Sequence, residues 1–198
     1  EQKMSKPTFL TYEKPLLTCM VQANDPQRIR ALITLARPEG AEAFGMQLCR
    51  MKAEYRSRET YRSLFDFAAP QPVYVTNYRG ADNKGKSDEV LGEELIELAE
   101  CGATLCDVMG NLFDRDTTYL ELTHSPTAIQ KQKELIAEIH RRGGEVLMSS
   151  HTHKYMSVAR ILEIARAQEA RGADIVKIVT MADSLEEEAE VLLANAVL

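Results

Sequence analysis

Two kinds of hydrophobic pattern alternate along this chain. Segments with apolar residues at helical spacing run into a glycine, and a short, nearly continuous apolar stretch follows. The pattern recurs as "LITLARPEGAEAFGMQL" (32–48), "LIELAECGATLCDVM" (95–109), "LIAEIHRRGGEVLMSS" (135–150) and "ILEIARAQEARGADIVKIV" (161–179). Ile161, Leu162, Ile164 and Ala165 share one side of a 3.6-residue period, as do Leu95, Leu98 and Ala99. Glycine is the residue best suited to the left-handed turn just past a helix end. Two further apolar stretches, "PLLTCMVQA" (15–23) and "PVYVTNYRG" (72–80), lack the helical lead-in and read as strands.

Six strands are therefore expected, centred near residues 19, 47, 76, 107, 147 and 177. They recur every roughly thirty to forty residues, room for one helix and two loops in a βαβ unit. Near-continuous apolar strands suit a parallel sheet covered on both faces. Such a repeat folds either as a doubly wound open sheet or as a TIM (β/α)8 barrel. No GxGxxG motif follows the first strand and no P-loop is present. Polar residues gather instead where strands end, in "TNYRG", "DVMGNLFD", "SSHTHK" and "KIVTMADS", the rim on which barrel enzymes build their sites. The expectation is an α/β fold of TIM-barrel type, one domain over 1–198 showing six βα units. Closure takes eight strands and about 250 residues, so the barrel is expected to be incomplete at its C-terminus. An open six-stranded α/β sheet is the alternative.

Composition narrows the function classes. With 198 residues and 44% hydrophobic content the chain can build a core. A formal charge of −6 argues against nucleic acid, which calls for a basic stripe. No run approaches the roughly 18 apolar residues of a membrane span. "EQKMSKPTFLTYEKP" at the N-terminus has no apolar leader core, so the expectation is a soluble cytoplasmic protein. Cys19, Cys49, Cys101 and Cys106 form no CxxC pair and read as reduced, small hydrophobes.

Lys177 is the conspicuous residue, a lysine among Ile175, Val176, Ile178 and Val179. Strand alternation puts Ile175, Lys177 and Val179 on one face. If that face is the barrel interior, desolvation lowers the amine's pKa and makes it a nucleophile able to form an imine. A rim-seeking lysine, or one paired with Asp107, is the other reading. His151 ends the preceding strand, where an imine-forming lysine would need an acid/base group. Arg79 closes the third strand and suits a substrate carboxylate or hydroxyl, or equally a surface salt bridge. The polar stretch "RGADNKGKSDE" (79–89) reads as a mobile loop near the rim. His151 and His153 form an HxH pair, but His124 and His140 lie elsewhere and no metal shell is completed. "EEEAE" (186–190) reads as the solvated first turns of a helix after Ser184.

"GGEVLMSSH", a helix, and then "GADIVKIV" resemble type I 3-dehydroquinate dehydratase, a (β/α)8 lyase of the shikimate pathway to the aromatic amino acids. The resemblance runs from the first strand to the chain's end and is strongest in the last fifty residues. It implies that Ser149 and His151 stand in the S-x-H stretch of the fifth strand and Lys177 at the Schiff-base position of the sixth. It also implies dehydration of 3-dehydroquinate to 3-dehydroshikimate without a cofactor or metal, a small anionic carbonyl substrate, and a homodimer. Arg79 matches the third-strand arginine; Gln47 falls near the glutamate of the second strand's E-x-R, and Arg50 roughly at its arginine. Cys19, in the first strand, is counted with these substrate-binding positions. Two departures stand out. Methionine occupies position 109, where the fourth strand's D-[LI]-E has the histidine's glutamate partner, and glutamine occupies position 47. They leave open a divergent Schiff-base lyase or aldolase acting on another carbonyl, a non-catalytic barrel relative, and a metal-dependent hydrolase built on the HxH pair.

Overall fold

Serine and aspartate set most helix starts. In the computed structural model, which describes residues 7–10, 14–115 and 121–198, the first helix, α1 (Pro26–Ala36), begins after Asp25, whose carboxylate accepts from the Arg28 amide. Ser57, Ser87, Ser157 and Ser184 do the same for α2 (Arg58–Ala68), α3 (Asp88–Glu100), α5 (Val158–Glu169) and α6 (Leu185–Val197). Helix α4 spans Pro126–Arg141. Between them lie β1 (Thr18–Val21), β2 (Ala43–Gln47), β3 (Val73–Thr76), β4 (Leu105–Met109), β5 (Glu145–His151) and β6 (Ile175–Val179). All six expected strands form, and helices alternate with them. Gly102 and Gly172 end α3 and α5 at φ 109° and 102°, the left-handed turn expected of them. The N-terminal stretch read for a leader lies partly outside the described residues. Among those described, no helix is long and apolar enough to cross a membrane.

Residues group into two compact units, 1–107 with 138–145, and 108–137 with 146–198. In the first, β1 to β4 run parallel, each beside the next in chain order. Their register makes two rows. Val21, Met46, Val75 and Cys106 form one, each no more than 2% exposed. They share the core with Ile29 and Ile33 of α1, Leu64 of α2, and Leu91 and Leu95 of α3, also buried. Each such aliphatic side chain contributes about 1.5–3 kcal/mol by leaving water. Met20, Gly45, Tyr74 and Leu105 make the opposite row. A Cβ on Gly45 would lie 2.0 Å from the Met20 sulfur and 3.1 Å from the Tyr74 ring, so glycine is what lets these two large side chains meet.

In the second unit β5 and β6 are parallel, with Leu147 beside Ile175, Ser149 beside Lys177 and His151 beside Val179. Helix α5 packs on β6 and on α6. Arg171 is 6% exposed and donates to the carbonyls of Gly110 and Thr123 and to the Gln132 side chain. Gln132, fully buried, donates in turn to the Gly110 and Leu112 carbonyls. The loop after β4 is thus held by side-chain donors as well as by backbone bonds, the Gly110 N–H to the Ser149 carbonyl and the Thr123 N–H to the Gly110 carbonyl. Strand β6 is half-buried along its length, and Val179 at its end is 38% exposed. Its partner is β5, and among the described residues no strand pairs with its other edge.

Candidate active site

Register and helix packing decide where Lys177 points. Ser150 lies beside Ile178, and its hydroxyl accepts a hydrogen bond from Gln168 of α5 at 2.9 Å. Ser150 and Ile178 therefore face the helix. Alternation turns their neighbours Ser149, His151, Lys177 and Val179 to the opposite face. Lys177 sits directly beside Ser149, and His151 is one strand across and two residues on. Strand spacing and rise put the Lys177 and His151 Cα atoms roughly 8 Å apart, a gap two long side chains can bridge. Ser149 is 2% exposed, whereas His151 and Lys177 are half-buried. The amine was expected to be wrapped in an apolar interior. It is instead partly open, because β6 is bonded along one edge.

Strand β5 ends at His151, so its alternation does not carry His153 onto the same face. Among the described residues no three His, Cys, Asp or Glu side chains gather to hold an ion. Met109, 9% exposed, alternates onto the same face of β4 as Asp107. Its thioether cannot take or give a proton, so this position offers no carboxylate chemistry.

In the first unit, polar residues on the Tyr74 face are bound to one another. The Tyr74 and Tyr78 hydroxyls both donate to Oδ2 of Asp107, the latter at 2.6 Å. Asp107 is 2% exposed. Burial, with the Asp107 charge alongside, pushes the Tyr74 hydroxyl's pKa far up and keeps it a donor. Gln47 ends β2 on this face, beside Thr76, whose buried hydroxyl finds no hydrogen-bond partner among the described residues. Arg79 makes a two-bond contact with Asp88, at 2.9 and 2.6 Å, so a salt bridge describes its placement. Nor is the segment after it loose. Asn83, 1% exposed, donates to the Asn77 side chain and the Tyr78 carbonyl at 2.7 Å each, and accepts from Arg56. Arg50 is exposed and lines a surface cleft of about 440 Å³ with Gln22, Asn24 and Asp82. Cys19 lies on the other face of the sheet, beside Phe44, over whose ring the Arg37 guanidinium stands at 5.9 Å. The structure thus gathers Lys177 with His151 and Ser149, places Gln47 with Thr76, and leaves Cys19 facing the helices.

Sequence reasoning passed over Tyr74, Tyr78 and Gln168. Alternation in "PVYVTNYRG" marks Tyr74 and Thr76 as one face, but which strand supplies their partner depends on register, which the sequence does not print.

Comparison with known proteins completes the picture. No curated protein matches the sequence. Among the solved structures that resemble it over nearly its whole length are three 3-dehydroquinate dehydratases. The 3-dehydroquinate dehydratase of Geobacillus kaustophilus HTA426 superposes with a TM-score of 0.77 at 14% identity, over 92% of this chain and 68% of that one. That of Enterococcus faecalis gives 0.71 at 20% identity, over 91% and 72%. The type I enzyme of Clostridium difficile gives 0.71 at 17% identity, over 91% and 68%. Likeness at such identities shows the fold, six parallel βα units of a TIM-type barrel, and replaces the open doubly wound alternative. A family model for type I 3-dehydroquinase matches residues 23–196, nearly the full length. The chain belongs to the type I 3-dehydroquinase family.

Proposed function

We propose that this protein is a carbon–oxygen lyase that dehydrates 3-dehydroquinate to 3-dehydroshikimate through a Schiff base on Lys177. The observation that carries the reading is the pairing of an amine and an imidazole on one face of adjacent strands. The amine, in its unprotonated form, adds to the ring ketone, and the resulting carbinolamine takes up one proton from solvent and loses water to leave an iminium. Its positive nitrogen draws electrons from the neighbouring C–H bond, whose proton His151 takes. The electron pair then expels the β-hydroxyl, which leaves as water with that proton. Hydrolysis of the imine frees the product and restores the amine. Ser149 stands beside the lysine on the same face, and we assign it a hydrogen bond to the substrate. Gln47 and Arg50 complete the proposed binding set; Arg79, which is tied to Asp88, and Cys19, which faces the helices, enter it only through the family pattern. The family also supports a cytoplasmic homodimer without a cofactor, and light scattering in solution tests the dimer.

Borohydride reduction with 3-dehydroquinate tests the chemistry. We expect a stable mass increase mapping to Lys177 and its complete loss in Lys177→Ala and Lys177→Arg. Retained turnover in either variant removes the lysine from the mechanism. One observation favours a second reading, a Schiff-base lyase acting on another carbonyl: Met109 stands where the family pattern has glutamate, and its thioether gives the histidine no carboxylate. Trapping with other ketones or aldehydes but not with 3-dehydroquinate selects that reading.

A further inference from the structure

We infer that Gln168 is a positioning residue for Lys177, setting the lysine and His151 in register from the helix side of β5 and β6; the inference rests on the Schiff-base reading above.

The buried face of α5 is apolar at Ile161, Ile164 and Ala165. The next position at that spacing is Gln168, and it is completely buried. An apolar residue would continue the stripe. A glutamine there costs free energy unless its amide is fully engaged. It is engaged by the residues around the proposed chemistry. Its oxygen accepts the Lys177 backbone N–H at 3.2 Å, and its nitrogen reaches the Lys177 carbonyl at 3.4 Å. The same nitrogen donates to the Ser150 hydroxyl at 2.9 Å. Ser150 itself is fully buried and immediately precedes His151.

One amide therefore holds the backbone of the imine-forming residue and the strand segment that ends in the acid/base residue. The clamp matters most on β6. This strand is half-buried and hydrogen-bonded to β5 along one edge. A strand with weak edge support can shift, and a slip of one residue would turn Lys177 to the helix side. A displacement near 1 Å between reacting groups already costs on the order of 100-fold in rate.

The test measures imine formation by quenching with borohydride at successive times in 3-dehydroquinate and weighing the intact protein. Gln168→Met keeps the volume and removes the amide. The variant is expected to trap at least tenfold more slowly yet reach the wild-type final amplitude, with KM within about twofold. A merely structural defect would lower the final amplitude and leave the rate of the surviving chains unchanged; that result, or a rate within twofold of wild type, overturns the inference and leaves the Schiff-base reading standing. No trapping by the wild-type chain overturns that reading and takes the inference with it. If Gln168→Met fails to fold, Ser150→Ala decides. It removes one of the amide's partners and is expected to slow trapping about threefold at full amplitude, and an unchanged rate overturns the inference.

Discussion

The two units end their strands in opposite ways. In the first, the polar groups at the strand ends are locked to one another: Asp107 to Tyr74 and Tyr78, Arg79 to Asp88, Asn83 to Asn77 and Arg56. In the second, Lys177 and His151 are half-buried, and the side chain that fixes their backbone stands behind them. A polar group tied off by its neighbours mainly stabilises the fold. One whose backbone is fixed from behind presents its side chain on the opposite face of the strands. Polar residues at the strand ends thus divide between structure and reactivity, and substitutions in the two units should separate the two effects.

His151→Gln should show the largest change, on rate alone. Loss of a general acid/base typically costs 10²–10⁴-fold in kcat. The half-buried ring leaves little packing behind, so the melting temperature should stay within a few degrees while imine trapping on Lys177 persists. A large fall in melting temperature would put His151 on the structural side of the comparison. Asp107→Ala should do the reverse. It removes the shared acceptor of two tyrosine hydroxyls, one of them 6% exposed. Each unsatisfied buried donor costs about 1–3 kcal/mol, so denaturant unfolding should show a loss of about 3 kcal/mol. Arg79→Ala comes next. It leaves Asp88, 4% exposed, without its two-bond partner and should cost about 2 kcal/mol, while imine trapping by folded protein continues at the wild-type rate. Trapping that collapses with folding intact would return Arg79 to the substrate.

Much of this was legible in the sequence for a physical reason. Helical periodicity, the glycines after it and the apolar strands are local signals, and local signals fix which elements form. The lysine in "IVKIV" was visible because a charge breaks an apolar run, and His151 because it directly follows "EVLMSS". Pairings across strands were not visible. Arg79 read equally as a substrate ligand or a salt bridge because Asp88, its partner, heads a helix nine positions on, across a segment that looked loose. Gln168 read as one more polar residue in a helix, since its role depends on which face α5 buries and against what. Cys19 and Met20 differ by one position, and that single step decides which face of β1 each takes.

Thiol chemistry offers a last and smaller test, confined to one side of the comparison because all four cysteines belong to the first unit. Cys106 lies in the buried row of that sheet, and burial, with the Asp107 charge secondary, pushes its thiol up to about 12 from an ordinary value of 9.0. The sign follows from linkage. Below pH 9 both folded and unfolded chains hold the proton, and Cys106 adds no pH dependence. Between about 9 and 12 the unfolded chain gives up its proton first, so stability falls as pH rises. One proton is worth at most about 1.4 kcal/mol per pH unit, and wild type should lose about 1 kcal/mol more than Cys106→Ala between pH 8 and pH 10. Cys19 is half-buried while the other three thiols are buried, so a thiol reagent near neutral pH should modify Cys19 first. Cys106 reacting as fast as Cys19 in folded protein, or the two chains losing stability in parallel, would mean that the first unit opens as readily as the half-exposed β6.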